Sequence, residues 1–240
     1  MLGKPLEGRA RISNFDIEVS HLDDGLILYR RSCVGECEEH NVVRKVVSSS
    51  MTIVPYPMYP IYYPRFVTRH ILCILEDELV LAPRDSRMFY LKVPYDVAVY
   101  ARANSEFRVL DVVPLHSRYK LSFYGHHTGG IIARVCRSRV YVEEPQPDIG
   151  WAVMPVSIVN DVGKVMVISR ILLDSSPLKL YYKPGSWSVY TQLIQLNIST
   201  QNVAMVNYGD VPWRGLEAID DPPEIRPPKI AGTTYMLWGF

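Results

Sequence analysis

The sequence predicts an all-β fold, and three observations predict it. Apolar residues do not recur at i, i+3, i+4 and i+7 over any window long enough for an amphipathic helix. Short runs of Val, Ile, Leu, Tyr and Phe are instead bounded by Pro, Gly, Asp or Asn, which is the composition of strands and turns. Turn chemistry returns about every ten residues, the spacing of a sandwich or barrel.

The expected strands follow in order. Strand 10–19 is closed off by Asp23-Asp24, and 25–31 and 42–47 come next. Strands 70–75 and 79–82 are separated by the acidic residues 76–78, and 88–93 follows Pro83 and Asp85. Segment 94–103 is the one stretch expected to coil into a short helix. Strand 107–113 ends at Pro114, strands 119–124 and 130–137 flank a glycine-rich turn, and 139–142 follows directly. Beyond them lie 151–159, 164–173, 178–182, 188–198 and 203–206.

Segment 143–150, EEPQPDIG, has two prolines and three acidic residues and cannot continue a central strand. It divides the chain into an N-terminal β-sandwich or barrel domain, 1–146, and a C-terminal domain, 147–211. In the second, Asn160-Asp161-Val162-Gly163 reads as a tight turn in which Asn and Gly supply positive φ, the pattern of an immunoglobulin-like sandwich. The expected architecture is two packed β-sandwich-like halves, the second immunoglobulin-like. A Pro-rich tail, 212–240, carries Pro222-Pro223 and Pro227-Pro228, which favour extended backbone. Its apolar end, Tyr235 to Phe240, is expected to pack as a strap on the body, with a partner-binding tail as the alternative.

With 26 basic and 25 acidic residues among 240 and a net charge of +1, no global field draws the protein to nucleic acid or to an anionic membrane. The N-terminus lacks a continuous apolar segment behind its lysine, so it does not read as a secretory signal. No apolar run approaches the length of a membrane span. A cytoplasmic location is therefore expected, with no membrane insertion and no nucleic-acid partner. Four cysteines are too few for a secreted disulfide scaffold and would stay reduced in most cytosols. The excess of arginine over lysine and the 18 prolines suit a thermophile, in which a cytosolic disulfide is admissible.

Residues 118–141, RYKLSFYGHHTGGIIARVCRSRVY, followed by 156–182, VSIVNDVGKVMVISRILLDSSPLKLYY, carry a family likeness. Tyr119, Tyr124-Gly125, Gly130, Arg134, Ser138 and Tyr141 stand where an uncharacterised archaeal family, domain of unknown function 432, has its motif, and the chain resembles that family from about residue 11 to residue 182. The gap between Tyr119 and Tyr124 is longer than in the family pattern. The resemblance implies an archaeal source and no assigned activity.

Three groups of residues are candidates for chemistry. Cys33, Cys37 and His40 have metal-like proximity, and Cys73, Cys136 or a carboxylate could complete a tetrahedral zinc site. The Cys-x3-Cys spacing is unusual for zinc, so a disulfide among the four cysteines or plain loop residues are the alternatives. His126 and His127 lie in the glycine-rich turn, with His116 and Asp111 as partners for a metal or proton-transfer site. Adjacent histidines on an extended chain point to opposite faces, and an ordinary exposed turn is the simpler reading. Tyr56, Tyr59, Tyr62 and Tyr63 stand among four prolines in 55–64 and could stack on a sugar or hold a peptide; a tyrosine cover over the core needs no ligand. Arg65, Arg69 and His70 beside them sustain a weaker nucleic-acid reading.

Neither a phosphate-binding loop nor a Gly-x-Ser-x-Gly elbow is present. The leading expectation is a non-catalytic module, with no cofactor, that binds a protein partner or assembles with itself through strand edges and the aromatic residues Tyr56, Tyr59, Tyr62, Tyr63, Trp238 and Phe240. A metal-dependent enzyme centred on His116, His126 and His127, and a carbohydrate-binding module using 55–64, are the alternatives.

Overall fold

The structure is a computed structural model that describes residues 1–37, 42–60, 68–104, 106–116, 120–125, 129–200 and 203–218, together with the backbone of 234–237. It is built from strands, and among the described residues the one helical element is a 3-10 turn at Asp23–Gly25. The predicted all-β class therefore stands, and the described strands assemble into four sheets.

The first sheet is an antiparallel meander of β1 (Gly8–Ile12), β2 (Phe15–Leu22), β3 (Leu26–Cys33) and β4 (Val43–Ser48). The single strand expected over 10–19 is a hairpin, because Ser13 takes φ 52° and reverses the chain. Ile17, Val19, Ile27 and Tyr29 share the buried face.

The second sheet is β5 (Thr52–Met58), β8 (Asp96–Ala103) and β9 (Glu106–Val113), with β8 in the middle. The helix expected over 94–103 is thus a strand. Val97, Ala98, Val99 and Tyr100 have no exposed surface, and a continuous apolar run looks the same by periodicity in a buried helix and a buried strand. Strand β5 holds Pro55 and Pro57 at the edge of this sheet, where a missing N–H is tolerated. The N-terminal segment uses only the carbonyls there: the amides of Gly3 and Leu6 donate to Pro55 O at 2.9 Å and Ile53 O at 2.8 Å.

In the third sheet the order is β10 (Leu121–Tyr124), β11 (Ile131–Ser138), β6 (His70–Leu81) and β13 (Met166–Asp174). Strand β6 fuses the expected 70–75 and 79–82 across the acidic residues 76–78, and β13 shifts register opposite them between Ile168 and Arg170. Strand β11 runs parallel to β6.

The fourth sheet centres on β12 (Trp151–Asn160). It pairs antiparallel with β7 (Ser86–Pro94), and parallel with β15 (Val189–Thr191) and β16 (Ile194–Thr200). Strands β14 (Leu180–Tyr182) and β18 (Glu217–Ala218) continue from β15, while β17 (Val203–Tyr208) and β19 (Thr234–Leu237) continue from β16. The strand expected over 188–198 breaks at Gln192, whose buried amide donates to Pro177 O at 2.8 Å and accepts from the Lys179 amide at 2.7 Å. Parallel pairings are absent from a purely antiparallel sandwich.

Two ladders cross the boundary expected at 146. Strand β7 pairs with β12, and β6 pairs with β13, so strands on either side of the proline-rich segment share hydrogen-bonded sheets. The connections β6–β7 and β12–β13 each change sheet, and Asn160 joins them. Its buried side-chain amide donates to Ala82 O at 2.8 Å and Lys164 O at 2.9 Å, and its side-chain oxygen accepts from the Val162 amide at 3.1 Å. Neither Asn160 nor Gly163 has positive φ. The asparagine acts through its side chain, and β12 and β13 do not form the hairpin that the turn suggested.

Part of the tail contacts the body. Trp213 stacks on Tyr190 with centroids 4.4 Å apart, β18 pairs with β14, and β19 pairs with β17. Trp238 and Phe240 lie outside the described residues.

The first two sheets are tied by a buried ion pair. Arg31 Nε lies 2.6 Å from Asp111 Oδ2, and the Tyr29 hydroxyl donates to the same oxygen at 2.8 Å. Burial first, and then the Asp111 carboxylate, push the Tyr29 phenol far above its ordinary pKa, so it stays a donor. Removing one partner leaves a buried charge uncompensated. Asp111→Ala should therefore lower unfolding free energy by about 3–5 kcal/mol in urea titrations. Glu76→Ala, which breaks the exposed Arg139–Glu76 pair, should change it by less than about 1 kcal/mol.

Candidate functional site

Of the residues that the sequence offers as a catalytic group, the two that are described, Asp111 and His116, do not meet. Asp111 is held by Tyr29, Arg31 and the Val112 amide. His116 belongs to a different contact: its Nε2 lies 2.6 Å from Gly150 O, and its ring packs edge-on against Trp151 at 4.4 Å. Because a carbonyl only accepts, Nε2 carries the proton and donates. The expected His116–Asp111 partnership is therefore not formed, since the bulged β9 turns Asp111 toward β3. His126 and His127 lie outside the described residues.

The cysteine group is also rearranged. Cys33 and Cys37 form a disulfide, which removes the two thiolates that a zinc site would need. His40 lies outside the described residues. Cys73 and Cys136 are buried and lie far along the chain from that loop, so they cannot supply its missing ligands.

Tyr56 and Tyr59 are core residues. Tyr56 packs against Tyr100 at 5.5 Å and Tyr182 at 5.6 Å, and both it and Tyr59 are buried. Neither presents a ring face to a sugar or a peptide, because β5 turns its tyrosine toward the neighbouring strands. Tyr62, Tyr63 and Arg65 lie outside the described residues. Arg69 Nε pairs with Asp174 Oδ2 at 3.0 Å, so its charge is already matched.

A different place collects exposed chemistry. Between β6, β7 and the strap that leaves β11 is an open cleft of about 640 Å³, lined by Asp77, Lys92, Arg139, Tyr141, Glu143 and Glu144, with Val140, Val142, Pro145 and Gln146. The strap is held at discrete points. Tyr141 and Tyr90 exchange backbone hydrogen bonds of 3.0 and 2.8 Å. The Lys92 amide donates to Ser138 Oγ at 2.9 Å, and that hydroxyl donates to Arg139 O at 2.8 Å. Trp213 Nε1 donates to Glu144 Oε2 at 2.9 Å. Pro145 has no amide proton, so the strap cannot continue as a ladder strand.

The cleft is acidic on balance. Its cations are already engaged: Lys92 is paired with Asp148 and lies 5.7 Å from the Tyr141 ring centroid, while Arg139 is paired with Glu76. Asp77 and Glu143 have no ion pair among the described residues. Burial, and then Glu144, push the Tyr190 hydroxyl upward, which keeps it protonated. Val142 is 83% exposed, so the carboxylates stand beside unshielded apolar surface. The lining contains no His, Cys or Ser. Among the described residues no group of three His, Cys, Asp or Glu side chains is placed to hold a metal ion. The arrangement suits recognition through charge and apolar contact.

The sequence showed half of this site. Glu143, Glu144 and Pro145 are conspicuous in 143–150, but they read as a linker. Asp77 and Lys92 reach the same cleft only through pairings between distant strands, which leave no local signal.

A family model described as a protein of unknown function, DUF432, matches residues 3–237. No curated protein and no solved structure matches the chain. No helix among the described residues is long and apolar enough to cross a membrane.

The two half-buried histidines generate a pH dependence. Burial lowers the pKa of His116, opposed by its bond to Gly150. Burial also lowers that of His70, opposed by Asp174 and assisted by Arg69. Both bind a proton more weakly folded than unfolded, so their contribution to stability is complete above about pH 6.5 and is lost as pH falls through the folded values. An NMR titration should place both imidazole midpoints below about 6.5. The urea midpoint should fall on acidification, and less steeply in His116→Phe.

Proposed function

We propose a function for this chain, which belongs to the DUF432 family: it is a non-catalytic binding module that holds an extended, basic segment of a protein in the cleft beneath the 139–146 strap. The observation that carries this reading is the placement of unpaired carboxylates, Asp77 and Glu143, beside exposed Val142 and the Tyr141 ring. A segment alternating Arg or Lys with apolar residues would meet both, and in an extended chain alternate side chains point to opposite sides. A polyanion would meet repulsion instead, and the net charge of +1 offers nucleic acid no compensating field. The burial of Tyr56 and Tyr59 weighs against the sugar-binding alternative.

One observation favours a second copy of the chain as the partner. Strand β4 pairs only with β3 among the described residues, and its sequence is VRKVVS. Arg44 and Lys45 are exposed, as is Val46 at 49%. An unpaired edge is a template for association, and its charges select against self-pairing edge to edge. The same charges complement the acidic cleft of another molecule, a head-to-tail contact.

We place this activity in the cytoplasm of an archaeal thermophile. The arginine excess and the proline count support a thermophile, the archaeal source is what the family resemblance implies, and the Cys33–Cys37 disulfide is compatible with the cytosol of such organisms.

A synthetic peptide of residues 42–48, VVRKVVS, is the probe. Calorimetry should detect binding that weakens with added salt and falls at least about tenfold, or 1.4 kcal/mol, in the Asp77→Lys/Glu143→Lys variant. Binding that is absent, or indifferent to this reversal, would remove the cleft from consideration. Sedimentation of the full chain separates the partners. Association lost in Arg44→Glu/Lys45→Glu supports a second copy, whereas a monomer that still binds the peptide supports a different protein.

A further inference from the structure

We propose that Cys73 and Cys136 close to form a second disulfide in the native protein, a covalent brace between β6 and β11. The two cysteines are register partners on adjacent parallel strands, so their side chains leave the sheet on the same face. Their sulfurs are 3.2 Å apart, and a disulfide bond needs about 2.05 Å. A closure of about 1.2 Å is within the reach of side-chain rotation, and adjacent strands about 4.8 Å apart lie inside the Cα separation a disulfide accepts.

The surroundings say when the bond forms. Cys73 has no exposed surface and Cys136 has 6%. The hydrogen bond with Cys136, and then burial, hold the Cys73 thiol well above its ordinary range, so in the folded protein Cys73 offers little thiolate and neither sulfur is open to an oxidant. Oxidation therefore belongs to a stage before the β10–β11 hairpin has docked on β6. The Cys136 thiolate attacks a small-molecule disulfide, releasing one thiol and leaving a mixed disulfide. Cys73 then attacks the Cys136 sulfur and expels the second thiol. Two protons and two electrons pass from the cysteines to the oxidant, which becomes two thiols. After docking, the same burial shields the product from reductants.

The bond has a structural consequence next to the cleft. Asp77 follows Cys73 by four positions on β6, and the strap begins just beyond Ser138, the last residue of β11. A Cys73–Cys136 bond pins the start of both walls, whether or not the cleft receives a peptide.

The test refolds the full chain from denaturant in a glutathione buffer with the reduced form in excess, then alkylates under denaturing conditions without added reductant. Peptide mapping should return a linked pair containing Cys73 and Cys136, with neither alkylated. Recovery of both as alkylated thiols would overturn the proposal. In a Cys33→Ala/Cys37→Ala background, reduction during unfolding should lower the thermal midpoint by about 5–10 °C. Because that background retains both Cys73 and Cys136, the mapping and the melt can be read on a protein with its sheet intact. An identical midpoint with and without reductant would also count against the brace.

Discussion

The corner held by Asn160 is the constraint on which the rest of the structure depends. Strand β6 lies in one sheet and β7 in another; β12 and β13 make the reverse change. Each crossing would leave backbone groups without ladder partners, and a buried polar group left unsatisfied costs about 1–3 kcal/mol. One asparagine answers several of these needs at once. Its amide serves Ala82 O and Lys164 O, its oxygen takes the Val162 amide, and its own backbone amide donates to Asp85 O at 2.9 Å. Because β6 and β7 diverge from this corner into different sheets, a gap opens between them. The 139–146 strap spans that gap, and the acidic cleft is what remains uncovered.

Buried polar groups elsewhere play the same joining role. Arg31 and Asp111 bridge the first two sheets, and Tyr29 completes the carboxylate's bonding. Arg69 and Asp174 close the far end of β6 and β13, where the Tyr208 hydroxyl donates to Asp174 O at 2.9 Å. Buried ion pairs contribute little net stability relative to apolar packing, but breaking one is costly. Their value here lies in selecting one arrangement of sheets whose apolar faces would accept several.

The sequence made the strand content legible because alternation and turn residues are local signals. Most strands fall where Val, Ile and Tyr alternate, and the exceptions have specific causes. Strand β8 is apolar on both faces, which erases its period. Ser13 adopts a left-handed conformation that serine rarely takes, and Asn14 beside it was the one local sign of the two-residue turn. Asn160 was visible as a special residue, yet its role lies in its side chain and in partners on both connections. The cleft was half visible for the same reason: Glu143 and Glu144 are neighbours in the chain, whereas Asp77 and Lys92 arrive through long-range pairing. Parallel pairing of Cys73 with Cys136 across 63 residues has no local signature at all.

Ladders that cross the 143–150 segment, β7 with β12 and β6 with β13, bind the chain before and after it into shared sheets. Native-state hydrogen exchange tests this most directly, since amides that open only with global unfolding share one free energy. Amides of β6 and β13, and of β7 and β12, should exchange with a common opening free energy that falls together in Asn160→Ala. Amides of β12 and β13 that open in a separate, lower-energy step while β6 and β7 stay protected would contradict it.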